Sequence, residues 1–427
     1  MPSSNRKKQK STFLSFFSTL GVLFIVIAML IWPEETYQGA LYGLEMWATI
    51  LVPSLLPFFI IAEVLLSLGI IRLLGVLLEP LMRPLFNLPG SASFGIAMGF
   101  TSGFPMGAVI TKRLYEEQEC TNSEAERLIA FTNNSSPLFL MVAVAVGMFQ
   151  QISLGLILAI SHYLANILLG IILGIRSRFR KKNIMDSRLS SLNYAQNTSS
   201  SSTGLFLKSI RALLAAQEKR KPWGKLLTDA IKSGLNTICL IGGFVIIYAV
   251  LVRILNVSTL LNLLQYPCSA LLQICGLSTS LDLSLATGFW EMTLGLKEVA
   301  ITPATLQEKA IAASILLGWG GLSIQSQVSG VLSDSGISLH LYYKGRIFQG
   351  LLSGLITFLL TLNENLFPAL STPTITMIPP QQPFVQHFFF NFLYVGNLFY
   401  LSILILLLLS GLTLCINFLL RTTAPKN

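Results

Sequence analysis

The sequence predicts an all-α polytopic membrane protein: about eight transmembrane helices plus two re-entrant hairpins, in two inverted repeats. Of its 427 residues, 53% are hydrophobic and 11% charged, and the mean hydropathy is +0.68, whereas a soluble domain carries roughly 25% charged residues. Basic residues gather in particular inter-span segments. Gly-, Pro- and hydroxyl-rich stretches interrupt apolar sequence in both halves.

Residues 13–32 follow Arg6, Lys7, Lys8 and Lys10 and are about long enough to cross a ~30 Å hydrocarbon core. A cleaved signal peptide is the rival reading; the length of the run and the lack of an A-x-A-like site favour a span. Further spans are expected at about 47–70, 126–146, 151–175, 228–252, 308–330, 346–363 and 393–419. The organisation is then a tail and extra helix at 1–33, a first repeat at 47–175, a basic linker at 176–225, a second repeat at 226–363 and a C-terminal helix and tail at 393–427.

Charge sets the topology. Residues 176–225 hold twelve Lys or Arg against Asp186 and Glu218, a balance of +10 that equals the net charge of the whole chain. Two basic clusters beside membrane segments, flanking a Ser-rich tract, read as a cytoplasmic linker rather than a nucleic-acid surface. Between them "LFLKSIRALLAAQ" suits an amphipathic helix on anionic lipid. The expected outer loops, 33–46, 147–150, 254–280 and 364–387, contain no Lys or Arg. The expected inner ones hold Lys112, Arg113, Arg127, Lys344 and Arg346. Both termini are expected in the cytoplasm.

Between two cytoplasmic points, residues 91–119 carry "GFTSGFPMGA" (99–108), too rich in Gly and Pro for an ordinary span. The counterpart is "GFWEMTLG" at 288–295. Each hairpin precedes a span broken by polar residues, "FTNNSSPLF" (131–139) and "GWGGLSIQSQ" (318–327), and "ERLIA" (126–130) is echoed by "EKAIA" (308–312). Three crossings per repeat make the second copy inverted, as in secondary transporters whose discontinuous helices bind substrate near the midplane. Irregular backbone persists at that depth only inside protein or beside a wet cavity. Close helix packing through small residues accounts for Gly103 or Gly107 but not for five consecutive residues from Asn133 to Pro137.

The candidate solute-binding residues are therefore Thr101, Ser102, Gly103, Asn133, Asn134, Ser135, Ser136, Trp290, Ser323, Gln325 and Gln327. Ser135 or Ser136 before Pro137 looks like an N-cap with Pro at the first helical position. Helix N-termini aimed inward suit an anionic or carbonyl-rich solute, and Phe104, Phe289, Trp290 and Trp319 offer ring faces. Glu63 and Glu291 are the candidates for coupling or gating, because intramembrane carboxylates serve as proton or cation partners. Scattered cysteines and histidines give no metal spacing, and no cofactor is indicated. For an intramembrane enzyme, Ser102 or Ser323 with His162 is the pairing available, without a G-x-S-x-G or H-E-x-x-H frame.

The stretches "LVPSLLPFFIIAEVLL", "LLEPLMRPLFNLPG", "AMGFTSGFPMGAVITKRL" and "EAERLIAFTNNSSPLF" resemble the YlbJ-type sporulation integral membrane proteins over most of the chain. That resemblance implies Gate domains, also called nucleoside-recognition domains, similar to those of concentrative nucleoside transporters and ferrous-iron permeases. Gly99–Gly107 and Asn133–Pro137 are the matching motifs. It further implies a role in spore maturation, at the mother-cell (outer forespore) membrane, associated with moving dipicolinate toward the forespore. Dipicolinate is a flat aromatic dianion. The alternative expectation is a membrane scaffold or receptor that recruits other sporulation membrane proteins through its basic loop.

Overall fold

In the computed structural model, residues 19–68, 82–179 and 222–362 are described, and among them the regular structure is helical. The predicted tail before residue 19, most of the basic linker and the predicted helix at 393–419 lie outside the described residues.

The described residues begin with α1 (Thr19–Ile31), which turns by 105° into the next helix. Where the charge pattern predicts an outer loop over 33–46, α2 (Pro33–Met46) forms instead. Pro33 at its first turn and Glu34 and Glu35 beside it suit a helix N-terminus. A π-helical turn, Trp47–Leu51, joins it to α3 (Val52–Ser67). Residues 82–86 are helical, and after them come α4 (Ala92–Ser102) and α5 (Met106–Glu116), a helical hairpin broken at Gly103–Pro105. The helix α6 (Asn122–Thr132) then opens at Asn133–Ser136 and resumes as a π-helix, Phe139–Met148, followed by α7 (Ile152–Phe179).

The second half has the same order. It starts with α8 (Trp223–Val257). The predicted outer segment at 254–280 holds the end of α8 and all of α9 (Asn262–Ile274). A second hairpin, α10 (Asp282–Trp290) and α11 (Met292–Ile301), breaks at Glu291. A broken helix, α12 (Leu306–Trp319) and α13 (Gly321–Leu332), turns at left-handed Gly320 and Gly321. The last described helix is α14 (His340–Thr361).

Among the described residues α7 and α8 are long and apolar enough to cross a membrane unaided, and α1 joined to its bent successor passes the same test as a pair. The other predicted spans within the described residues are either interrupted or, like α14, mixed with polar groups.

Small residues set how these helices meet. A Cβ on Gly39 would lie 3.0 Å from the Val250 Cα, one on Gly43 2.9 Å from the Ile246 Cα, and one on Gly242 2.6 Å from Trp47 Nε1. The contacts run in opposite residue order, so α2 and α8 are antiparallel and almost in backbone contact. The Trp47 indole N–H completes the seam by donating to the Ile238 carbonyl at 2.8 Å. The pair α7 and α14 is antiparallel as well, with Asn166 facing Arg346 and His162 facing Gln349.

Both broken helices open with a capping box. Thr121 and Glu124 cap α6, and Thr305 and Glu308 cap α12 by the same reciprocal bonds. These matched caps correct the register of the sequence echo, because Glu124, not Glu126, occupies the position of Glu308.

Candidate functional site

The glycines of the first hairpin seat it on the break of α6. A Cβ on Gly99 or Gly107 would strike the Thr132 carbonyl, and Gly103, at φ +80°, lies against Ser136. A side chain at Gly103 would meet both a left-handed backbone and a neighbouring backbone nitrogen. In the second half Gly321, at φ +72°, backs onto Glu291 and Met292 of the hairpin in the same way. Each hairpin tip therefore rests on the break of the helix that follows it.

The breaks at Gly103, Ser135–Ser136 and Glu291 meet α13 at one cavity of about 50 Å³. Its polar wall combines Ser102, Ser135 and Ser136 from the first half with Glu291, Thr293 and Gln327 from the second, and Phe104 lies beside them. Three of these groups are buried without a hydrogen-bond partner: Ser102 Oγ, Ser135 Oγ and Gln327 Oε1. Each costs about 1–3 kcal/mol when left unsatisfied, so their convergence marks a place where a polar occupant gains.

Helix ends surround the cavity. Ser136 Oγ accepts the Phe139 N–H at 3.2 Å and so caps the helix restarting at Pro137. The Glu291 carboxylate accepts the Leu294 N–H at 2.7 Å, capping α11 from the residue just before it. The N-termini of α5 and α13 carry no side-chain cap; at α5 the Met106 and Ala108 N–H groups donate instead to the Gly103 and Pro105 carbonyls.

A polar layer behind α6 engages the backbone of its break, while Asn133 Oδ1 and Asn134 Oδ1 stay without a partner. Arg346 Nη1 donates to the Asn133 carbonyl at 2.9 Å, and Nη2 lies 3.4 Å from the Ala130 carbonyl and 3.3 Å from Asn166 Oδ1. His162 Nε2 accepts the Ser135 N–H at 3.3 Å, and Tyr163 donates its hydroxyl to the Ser135 carbonyl at 2.8 Å. The other ring nitrogen, Nδ1, lies 3.5 Å from the Gln349 amide nitrogen. Arg346, predicted in an inner loop, is thus fully buried inside α14. Its position near the start of a helix made its charge read as a loop signal; Asn166 and Gln349 lacked any motif that would have singled them out, and His162 stood out only as the base of an enzyme pairing.

The structure divides the remaining candidates. Gly103 lies in the cavity wall. Asn133 points the other way, donating to the Tyr342 hydroxyl at 3.2 Å, and Asn134 donates to the Phe131 carbonyl at 2.9 Å. Thr101 donates back to the Ala97 carbonyl. Gln325 lies at the far side of α13, in a separate open cavity with Trp319 and Tyr343, and donates to the Trp319 carbonyl at 3.4 Å. Ser323 is fully buried but outside the cavity wall, Trp290 packs among Val252, Leu255 and Leu261, and Glu63 lies half-buried on α3. Phe289 and Trp319 stack on each other, ring centres 5.2 Å apart. Among the described residues no cluster of ligating side chains could hold a metal ion.

The comparisons bear on this arrangement. A family model described as Gate, nucleoside recognition, matches residues 48–173. Sporulation integral membrane protein YlbJ of Bacillus subtilis (strain 168) is 40% identical over 339 residues, covering 79% of this chain and 80% of that one. The chain belongs to the YlbJ family of sporulation integral membrane proteins. An uncharacterized protein of Alkalihalophilus pseudofirmus shares 30% identity with this family member over 128 residues, 29% of this chain and 26% of its own. Among solved structures, a doubly substituted CNTnw in an outward-facing state aligns with a TM-score of 0.48 at 12% identity, covering 87% of this chain and 88% of that one. CNTnw in an inward-facing substrate-bound state aligns at 0.41 and 15% identity, covering 83% and 87%.

Proposed function

We propose that the chain carries a small anionic solute across the membrane, and that this solute is dipicolinate. The observation that supports this reading is the cavity itself, with unpartnered buried hydroxyl and amide groups contributed by the breaks of both halves. Membership of a sporulation family points to a solute of spore formation. A flat dianion suits the hydroxyl groups of Ser102 and Ser135 and the face of Phe104, all of which line the cavity.

Two physical limits shape the mechanism. A cavity of about 50 Å³ is far below the ~300 Å³ at which ligand pockets begin, so this arrangement is closed and the hairpins must part to admit the solute. A dry site also cannot hold a dianion beside an ionised Glu291 without a compensating positive charge. Transport on this reading carries a proton on Glu291 or a cation beside it.

The antiparallel pairings of α2 with α8 and α7 with α14 favour two inverted halves. The hairpins then enter from opposite faces, as re-entrant elements among about eight spans with cytoplasmic termini, in the mother-cell (outer forespore) membrane. The test is flux of labelled dipicolinate through liposomes containing the purified protein, with and without a proton gradient. Flux above that of protein-free liposomes is expected; its absence in both conditions contradicts the reading.

A further inference from the structure

We propose that Arg346 is a positioning residue that fixes the geometry of the solute site from the opposite half of the molecule. This rests on the cavity being the solute site. Arg346 belongs to α14 in the second half, yet three of its contacts reach the first: the carbonyls of Ala130 and Asn133 and the Asn166 amide oxygen. It is fully buried, and among the described residues no carboxylate pairs with it. Its countercharge is instead the C-terminal end of α6, whose carbonyls carry the negative pole of the helix dipole.

The consequence for the site is geometric. Asn133 is the last residue held before the chain turns into Ser135 and Ser136, which line the cavity. The Asn133 side chain is tied to α14 a second time, through the Tyr342 hydroxyl. Behind the next residues, His162 and Tyr163 take the Ser135 N–H and carbonyl. With the backbone engaged from behind, Ser135 Oγ is left facing forward without a partner.

A guanidinium suits this task because its planar fork engages several acceptors at once, whereas an ammonium is a point charge. Removing it leaves the carbonyls of a broken helix unpaired and lets the Ser135 segment turn. Both halves then lose their fixed relation at the cavity, although neither Arg346 nor Asn166 lines it.

The test uses full-length protein in liposomes, in a background lacking the native cysteines and carrying Ser135→Cys, and reads two quantities. One is the rate of alkylation by a small water-soluble maleimide, which needs no solute. The other is KM and kcat for dipicolinate flux, read with Ser135 restored. Arg346→Lys is expected to raise both the alkylation rate and KM about tenfold, the change that loss of one charge-assisted hydrogen bond implies. Membrane abundance and kcat should change far less. Asn166→Ala removes one acceptor only and should move both quantities in the same direction by a smaller factor; it decides the matter should Arg346→Lys fail to insert. Unchanged alkylation and KM in an inserted Arg346→Lys, or in Asn166→Ala where the first does not insert, would overturn the proposal. A parent protein without flux contradicts the transport reading, and alkylation alone then decides the role of Arg346.

Discussion

Ser102 and Gln327 carry the sharpest residue-level expectations, because each presents a buried, unpartnered polar atom from a different half. Ser102→Ala and Gln327→Ala should each reduce dipicolinate flux by about tenfold with normal membrane abundance, the loss of roughly one hydrogen bond to a charged solute. Gln325→Ala, whose amide faces a separate cavity, should have a much smaller effect, as measured in the same flux assay. The two glutamines are two residues apart in a polar run, and from sequence alone they look equivalent. On a helix they point to different sides, so only the fold separates them. Glu291→Gln keeps the shape of the α11 cap while removing the titrating group. If Glu291 carries the proton, flux measured across a pH series should lose the pH dependence of the parent; an unchanged profile and rate would exclude proton coupling at this residue.

At the level of elements, the breaks were the most legible feature. Gly and Pro within apolar sequence, and Asn133 to Pro137 in a row, contradict an ordinary span, and the helices break at both places. The close approach of hairpin to broken helix makes Gly99 and Gly107 intolerant of a side chain, since the Thr132 carbonyl fills the space. Gly99→Ala and Gly107→Ala should each cost about 1–3 kcal/mol in packing strain, seen as lower thermal stability of the detergent-solubilised protein. Gly330→Ala, where the space is open, should leave stability near that of the parent. Less legible was α2. Its three glutamates and its glycines lower its hydropathy, but those glycines bring it onto α8, so tertiary contact rather than apolar length makes it a helix. The repeat register was also displaced by two residues in the echo "ERLIA" and "EKAIA", because matching letters carry less information than matching caps.

For the molecule as a whole, the sequence shows a pattern repeated on either side of a basic linker, and the structure supplies what brings the copies together: glycine-mediated contact of α2 with α8, and Arg346 reaching from α14 to α6. On the proposed inverted arrangement, the bases of the two hairpins lie on opposite faces of the membrane. In a background without the native cysteines, Gln118→Cys should therefore resist an impermeant maleimide added outside intact cells, while Gly276→Cys should react. The central claim is that breaks from both halves form one solute site, and protection from alkylation tests it most directly. Ser102→Cys and Gln327→Cys, prepared separately and reconstituted in liposomes, should both be protected by dipicolinate over the same concentration range, with half-protection at the same value. Protection of one position without the other, or of neither while flux persists, would contradict a shared site.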